Sequence, residues 1–468
     1  MSARSTPIDV LFLNWRDLSH PEGGGSERYV HRIAEGLVAR GLRVTLLCAA
    51  HDRAPAEETV AGVQVVRRGG RLGVYPRALA YVLRSRPRMV VDVQNGVPFC
   101  SPLVTRAPVT VLVHHVHREQ WPIVFGRMGG KVGWWLESVV APWVYRRSRY
   151  VTVSESTRRE LADLGVAAHR VAVVPNGVEP VLDVPTRRSA TPRLVVVGRL
   201  VPHKQVEHAL QVLARLRDRW PGLRLAVVGE GWWDDRLRAE ADRLGVRESV
   251  EFTGYLDEPA KHAQLAAAWV HLCPSVKEGW GLVVTEAGGH QVPTVGYRSA
   301  GGLQESVVDG VTGILVEDVE EMTAAVDRLL GDEEMRRSLG AAAARHAAGY
   351  DWPASVSGFA GVLAAAARES AGAVGHDLLE HLLLALPGGA GSAGGAGGAG
   401  GAVGVDHDRD GRDGGCADGG AAGERQENGD QGLHSGTHFL EGGRRSGTVD
   451  DRIAVHNRAQ MTVPSATA

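Results

Sequence analysis

Runs of Val, Leu and Ile punctuate the chain, and they come in two series. The first is IDVLFLN (8–14), RVTLLCA (43–49), VQVV (63–66), RMVVDV (88–93), VTVLVH (109–114) and YVTVS (150–154). The second is PRLVVVG (192–198), LRLAVVG (223–229), SVEFTG (249–254), VHLCPS (270–275) and VPTVGY (292–297). Near-continuous apolarity suits a strand covered on both faces, as in a parallel sheet. Helical patterns lie between the runs. Ser26 is placed to cap the first helix, with Ile33, Leu37 and Val38 on its apolar face. The second series predicts helices near 205–218, 234–244, 260–268 and 283–290. The expectation is an α/β chain of two doubly wound Rossmann-like domains, 1–185 and 186–345, facing across a cleft. The join is the segment Pro175–Pro192.

Charge and composition narrow the function. The net charge of −2 argues against a nucleic-acid partner, yet residues 1–190 carry 26 basic against 16 acidic groups. That bias suits an anionic substrate or an anionic membrane surface. Four cysteines with no paired spacing fit neither a disulfide framework nor structural zinc, so no metal site is expected. The N-terminus has too short an apolar stretch for a signal peptide and no run is long enough to span a bilayer. The expected location is the cytoplasm, with peripheral contact at the inner face of the membrane. Residues 371–468 hold 24 of the 60 glycines and are expected to be a disordered Gly/Ala-rich tail.

Three strand-to-helix motifs carry the chemistry. Pro21-Glu22-Gly23-Gly24-Gly25-Ser26-Glu27 lets backbone approach a ligand at a helix N-terminus, although a plain flexible loop would look the same. In Val197-Gly198-Arg199-Leu200-Val201-Pro202-His203-Lys204, Arg199 and Lys204 could clamp a diphosphate; the alternative is a solvated basic turn. Only four lysines occur beside 48 arginines, which favours a particular role for Lys204. The third motif runs from Lys277 to Ala287, with Glu278 and Glu286 eight residues apart around a helix start near Gly281. Both carboxylates can then face one ligand, with the amides of 281–283 toward its phosphates.

Together these motifs resemble the family-4 retaining glycosyltransferases of the GT-B fold. The resemblance covers about 8–370 and takes in VSESTRREL, VPNGV, VVGEG, FTGYL and GGLQESVVDGVTGILV. It ends at YDWPASV (350–356), which resembles the start of the family's return helix, so 346–370 is expected to return to the N-terminal domain. The resemblance implies a nucleoside-diphosphate sugar in the C-terminal domain and an acceptor in the N-terminal one. Arg199 and Lys204 would neutralise the diphosphate without a metal or other cofactor. Glu286 would hold the ribose, Glu278 the donor sugar, and the amides of Gly281, Leu282 and Val283 the distal phosphate. Gly24 and Gly25 would approach that phosphate from the other domain, and Gly254 and Tyr255 would lie by the base. His114 matches the family's histidine beside the reacting carbon, with His117 in reserve because the run is His114-His115-Val116-His117. Where family members often have Cys-Gly before a proline, this chain reads GGHQVPTV.

The implied reaction is hexosyl transfer with retention, from GDP-mannose or a UDP-sugar to a lipid-linked, glycan or small-molecule acceptor. A UDP-sugar 2-epimerase-like isomerase or a catalytically silent nucleotide-sugar-binding subunit would share the fold. Seven of the 25 aromatics fall within 118–150 among basic residues, as in an interfacial helix that meets anionic lipid. A covering helix with core tryptophans would read the same way.

Overall fold

The computed structural model describes residues 7–180, 182, 184, 187–370 and 376–384. Eight strands form the first sheet: β1 (Val10–Leu13), β2 (Val44–Cys48), β3 (Glu57–Val60), β4 (Val63–Arg67), β5 (Met89–Val93), β6 (Val109–Val113), β7 (Arg149–Thr152) and β8 (Val171–Val173). Their order is β3-β4-β2-β1-β5-β6-β7-β8, parallel except for the β3–β4 hairpin. Six parallel strands form the second: β9 (Arg193–Val197), β10 (Arg224–Val228), β11 (Val250–Gly254), β12 (Val270–Cys273), β13 (Thr294–Tyr297) and β14 (Gly313–Val316), in the order β11-β10-β9-β12-β13-β14. That order reverses beside β9, as in a Rossmann sheet, and the reversal opens a crevice at the strands' carboxyl ends. The predicted doubly wound architecture is therefore present in both halves.

The apolar runs form these strands because both sheet faces are covered: β1, β2, β5 and β6 are buried along their whole lengths. Helix Gly25–Ala39 covers one face of the first sheet together with helix Trp352–Glu369, which returns from the far end of the chain. The two helices cross closely at Gly36, where an added Cβ would lie 2.4 Å from a Val356 methyl. Asp351 caps the returning helix by accepting from the Ala354 amide at 2.6 Å. Beside it, the Val178 amide donates to the Tyr350 carbonyl at 3.1 Å, so the outgoing and returning segments meet where the chain passes between domains.

The expectation of disorder from 371 onward needs correction. His376–Leu383 is a helix whose Leu378 and Leu382 enter the core of the first domain. Arg88 pairs with Asp377 through both ends of its guanidinium, at 2.7 and 2.8 Å, and Arg40 donates to the Leu382 carbonyl at 2.6 Å. HDLLEHLL has apolar residues at helical spacing, which lets it bury a face despite the Gly-rich sequence beyond it. The remainder of the expected tail lies outside the described residues.

Candidate functional site

Past β1 the chain turns tightly, with the Gly23 amide donating to the His20 carbonyl at 2.8 Å. Helix Gly25–Ala39 then opens from Gly24, not from Ser26 as predicted. Glu27 is the reason. Its buried carboxylate accepts from the Gly24 amide at 2.7 Å and from Ser26 Oγ at 2.9 Å, which draws Ser26 into the first turn. Arg16 Nε donates to the other Glu27 oxygen at 3.2 Å. Burial alone would raise this carboxyl, but the charges of Arg16 and Arg199 and these hydrogen bonds hold it below its ordinary value.

The second domain meets this loop directly. Arg199, just past β9, donates from Nη1 to the Glu22 carbonyl at 3.3 Å. A Cβ on Gly24 would lie 3.7 Å from Arg199 Nε, and one on Gly25 only 3.0 Å from Leu282 Cδ1. The glycines thus let backbone lie against the opposite wall. A short 3₁₀ turn, Pro202–Lys204, delivers Lys204, whose Nζ pairs with Glu278 Oε1 at 2.5 Å. Ser275 Oγ donates to the same oxygen at 2.7 Å. Burial works against the Glu278 charge, yet Lys204 and Ser275 more than offset it and its pKa is lowered. The domains touch again at Gly279: a Cβ there would stand 2.5 Å from the His114 carbonyl oxygen. Gly281 has φ +93°, and helix Leu282–Gly289 begins after it, so the amides of Gly281, Leu282 and Val283 head the helix and Glu286 lies in its second turn.

Glu286 is buried beside two cations. Lys261 Nζ lies 2.9 Å from its Oε2, and Arg28 Nη1, from the first domain, 3.6 Å from its Oε1. Both cations are shared with Glu258, at the start of helix Glu258–Ala267: Lys261 at 2.9 Å, and Arg28 through two hydrogen bonds, one of 3.0 Å. Burial opposes ionisation of Glu258, but hydrogen bonds from His262 and Arg28 and the charge of Lys261 hold its carboxyl far below the usual range.

The three histidines after β6 separate. His114 is buried edge-on to Tyr29, their centroids 5.3 Å apart, and burial lowers its pKa to about 4. Its Nε2 has no hydrogen-bond partner among the described residues, so the neutral ring brings an unsatisfied polar atom to the cleft. His115 lies against Gln120, ring nitrogen to amide nitrogen 3.1 Å. His117 pairs through Nδ1 with the buried Glu137 at 2.9 Å. Across the cleft, burial, Lys204 and Arg199 push His203 down to about 3. Gly254, at φ +69°, ends β11, and its carbonyl accepts from the Gly229 amide; Tyr255 beside it is 74% exposed, with no partner among the described residues.

The structure thus brings Gly24, Gly25, Arg199, Lys204, Glu278, Leu282, Glu286 and His114 to one cleft, whereas Tyr255 stands at its rim. Sequence reasoning gave no part to Arg16, Arg28, Glu258, Lys261 or Glu137. Arg28 and Glu258 meet across 230 residues, and Lys261 and Glu137 meet Glu286, His117 and Trp121 from separate elements, which no local pattern announces; Lys261, one of four lysines, offered the same rarity signal as Lys204. In 118–150, Trp121 is buried and Trp134 half-buried, but Trp135 and Trp143 are 54% and 61% exposed. Met128, Val132 and Val139 are exposed beside them, with Arg127, Lys131, Arg146 and Arg147. Among the described residues no helix is long and apolar enough to cross a membrane.

Two family models match end to end: Glycosyltransferase Family 4 over 23–182 and Glycosyl transferases group 1 over 183–346. An exopolysaccharide phosphotransferase of Streptomyces coelicolor is 38% identical over 197 residues, 41% of this chain; the chain spans only 20% of that protein's length. A D-inositol 3-phosphate glycosyltransferase of Nocardia farcinica is 30% identical over 417 residues, 79% of this chain and 92% of its own. A sucrose-phosphate synthase structure from Thermosynechococcus elongatus superposes with a TM-score of 0.64 at 20% identity, covering 75% of this chain and 96% of that one, which establishes the GT-B fold. With both halves matched in order and the sheets arranged as described, the chain belongs to the family-4 glycosyltransferases.

Proposed function

We propose that the protein transfers a hexosyl unit, with retention at the anomeric carbon, from GDP-mannose or a UDP-sugar to a hydroxyl of a lipid-linked, glycan or small-molecule acceptor. The observation that carries this reading is the meeting of Gly24 and Gly25 with Arg199 and Leu282, next to the Lys204–Glu278 pair and Glu286. In this reading the diphosphate lies between the glycine loop and the heading amides of helix Leu282–Gly289. Arg199 and Lys204 take up the charge that grows on the leaving phosphate, so no metal is required. Glu286 exchanges its contacts with Lys261 and Arg28 for ribose hydroxyls, and Glu278 turns to the sugar. The acceptor hydroxyl attacks on the face the phosphate leaves: its oxygen bonds to the anomeric carbon, the carbon–oxygen bond to phosphate breaks, and its proton passes to the departing phosphate. The protein supplies position and charge. Neutral His114 orients a sugar hydroxyl. The exposed patch formed by Met128, Val132, Trp135, Val139 and Trp143 with its basic neighbours would rest on an anionic bilayer at the inner face of the membrane.

The test is a thermal-shift and slow-hydrolysis screen of the full chain against UDP-, GDP- and other nucleotide sugars. One donor should stabilise the wild type but neither Lys204→Ala nor Glu286→Ala, and release nucleotide and free sugar slowly. No shift with any donor would overturn the reading, and an epimerised sugar would reassign the protein as an isomerase.

A further inference from the structure

The carboxylate of Glu137 has no solvent-exposed surface, yet four hydrogen bonds converge on it. The His117 amide donates to both of its oxygens at 3.2 Å, His117 Nδ1 lies 2.9 Å from Oε1, and Trp121 Nε1 donates to Oε2 at 2.6 Å. Glu137 lies in a π-helical turn, Leu136–Val140, that continues the helix Gln120–Trp135; such turns are rare and concentrate at functional sites. Glycines make room for the arrangement. A Cβ on Gly133 would fall 2.2 Å from the Trp121 ring and one on Gly96 2.7 Å from it, while Gly130 packs against the Trp121 backbone. The sequence gives up side chains at two positions to seat one indole, and that indole holds the carboxylate that aims His117.

A carboxylate only accepts hydrogen bonds, so a neutral ring at His117 carries its proton on Nδ1 and its lone pair on Nε2. That nitrogen makes no hydrogen bond among the described residues. The ring lies tilted by 39° against His115 with centroids 4.2 Å apart, and His203, next to Lys204 on the opposite wall, is within electrostatic reach of it. We propose that His117 is a second catalytic histidine whose Nε2 accepts the hydrogen bond of the acceptor's attacking hydroxyl, with Glu137 and Trp121 as its positioning residues. The proton is not taken up by His117; it still leaves with the phosphate. This rests on the transferase reading and adds to it the group that orients the acceptor oxygen.

The experiment uses the full chain labelled with ¹⁵N-histidine, with water as the acceptor and the nucleotide sugar that stabilises the wild type in the donor screen. His117 should appear as the Nδ1–H tautomer in the wild type and lose that preference in Glu137→Gln. Both His117→Ala and Glu137→Gln should keep the full donor-induced thermal shift while releasing nucleotide about 10- to 100-fold more slowly, the scale of lost orientation. An Nε2–H tautomer in the wild type, or wild-type release rates in His117→Ala, would overturn the proposal. Absence of any donor shift in the wild type would instead count against the transferase reading, and the tautomer would still decide whether His117 is aimed as described.

Discussion

Arg28 and Glu258 pair across the cleft through both ends of the guanidinium, one contact at 3.0 Å, and Glu286 stands 3.6 Å away at the edge of that pair. Helix Gly25–Ala39 is thereby tied to helix Glu258–Ala267, and the same cation borders the carboxylate assigned to the ribose. Charge-assisted hydrogen bonds of this kind contribute about 1.5–3 kcal/mol when partly buried. Arg28→Ala should open the unliganded protein, seen as a larger radius of gyration in small-angle scattering, and weaken donor binding by roughly tenfold. An unchanged radius would mean that the pair does not hold the domains.

Lys204→Ala separates stability from binding. Removing the lysine leaves Glu278 without its cation in a mostly dry site, which should lower stability by about 1–3 kcal/mol. Adding Glu278→Gln removes the stranded charge and should recover most of that loss in denaturant melts. The donor-induced thermal shift should stay absent in both variants.

Acid sensitivity should follow the buried histidines. His114 has a folded-state pKa of about 4 against an ordinary value of 6.5, so the unfolded chain binds the extra proton first. Its contribution is present at neutral pH and is lost as pH falls from 6.5 toward 4. Between pH 7 and pH 5 that costs about 2 kcal/mol. His114→Gln should flatten the pH dependence of unfolding by about that amount; an unchanged slope would show that the ring is solvated.

The exposed patch makes a separate prediction. Trp135→Ala combined with Trp143→Ala should weaken binding to vesicles containing anionic phospholipid while leaving donor-induced stabilisation intact. Wild-type binding should also fall as salt is raised. Equal vesicle binding by the double variant would remove the membrane reading.

Gly36→Ala should destabilise by about 1–3 kcal/mol, the usual cost of overpacking, because its methyl meets Val356. Val356→Ala in the same chain should relieve that clash, which melting curves of the two variants would show.

Much of this architecture could be read from the strands. All eleven apolar runs became strands, most because both-face burial writes itself as continuous Val and Leu; SVEFTG, an edge strand with Glu251 exposed, is the exception. The three unread strands lack that mark. Glu57–Val60 is a polar edge strand, Val171–Val173 is three residues long, and Gly313–Val316 follows a loop without a preceding helical pattern of useful length. The site was legible where chemistry is local: glycines at a strand end, a lysine among arginines, two spaced glutamates. It was not legible where a side chain's partner lies far away, as with Arg28 and Glu258, 230 residues apart. The helical core of His376–Leu383 was hidden by its surroundings, since composition averaged over a hundred residues hides eight.

The chain passes between the domains twice, near Val178 and again near Tyr350, and the two passages are hydrogen-bonded to each other. The half built on the six-stranded sheet is therefore an insertion held at both ends, not a bead on a single thread. A protease cut in one passage would leave the halves joined through the other. A paired tether also suppresses free swivelling and leaves bending about one axis as the cheap motion, so the fold itself fixes the direction in which the cleft can open and shut.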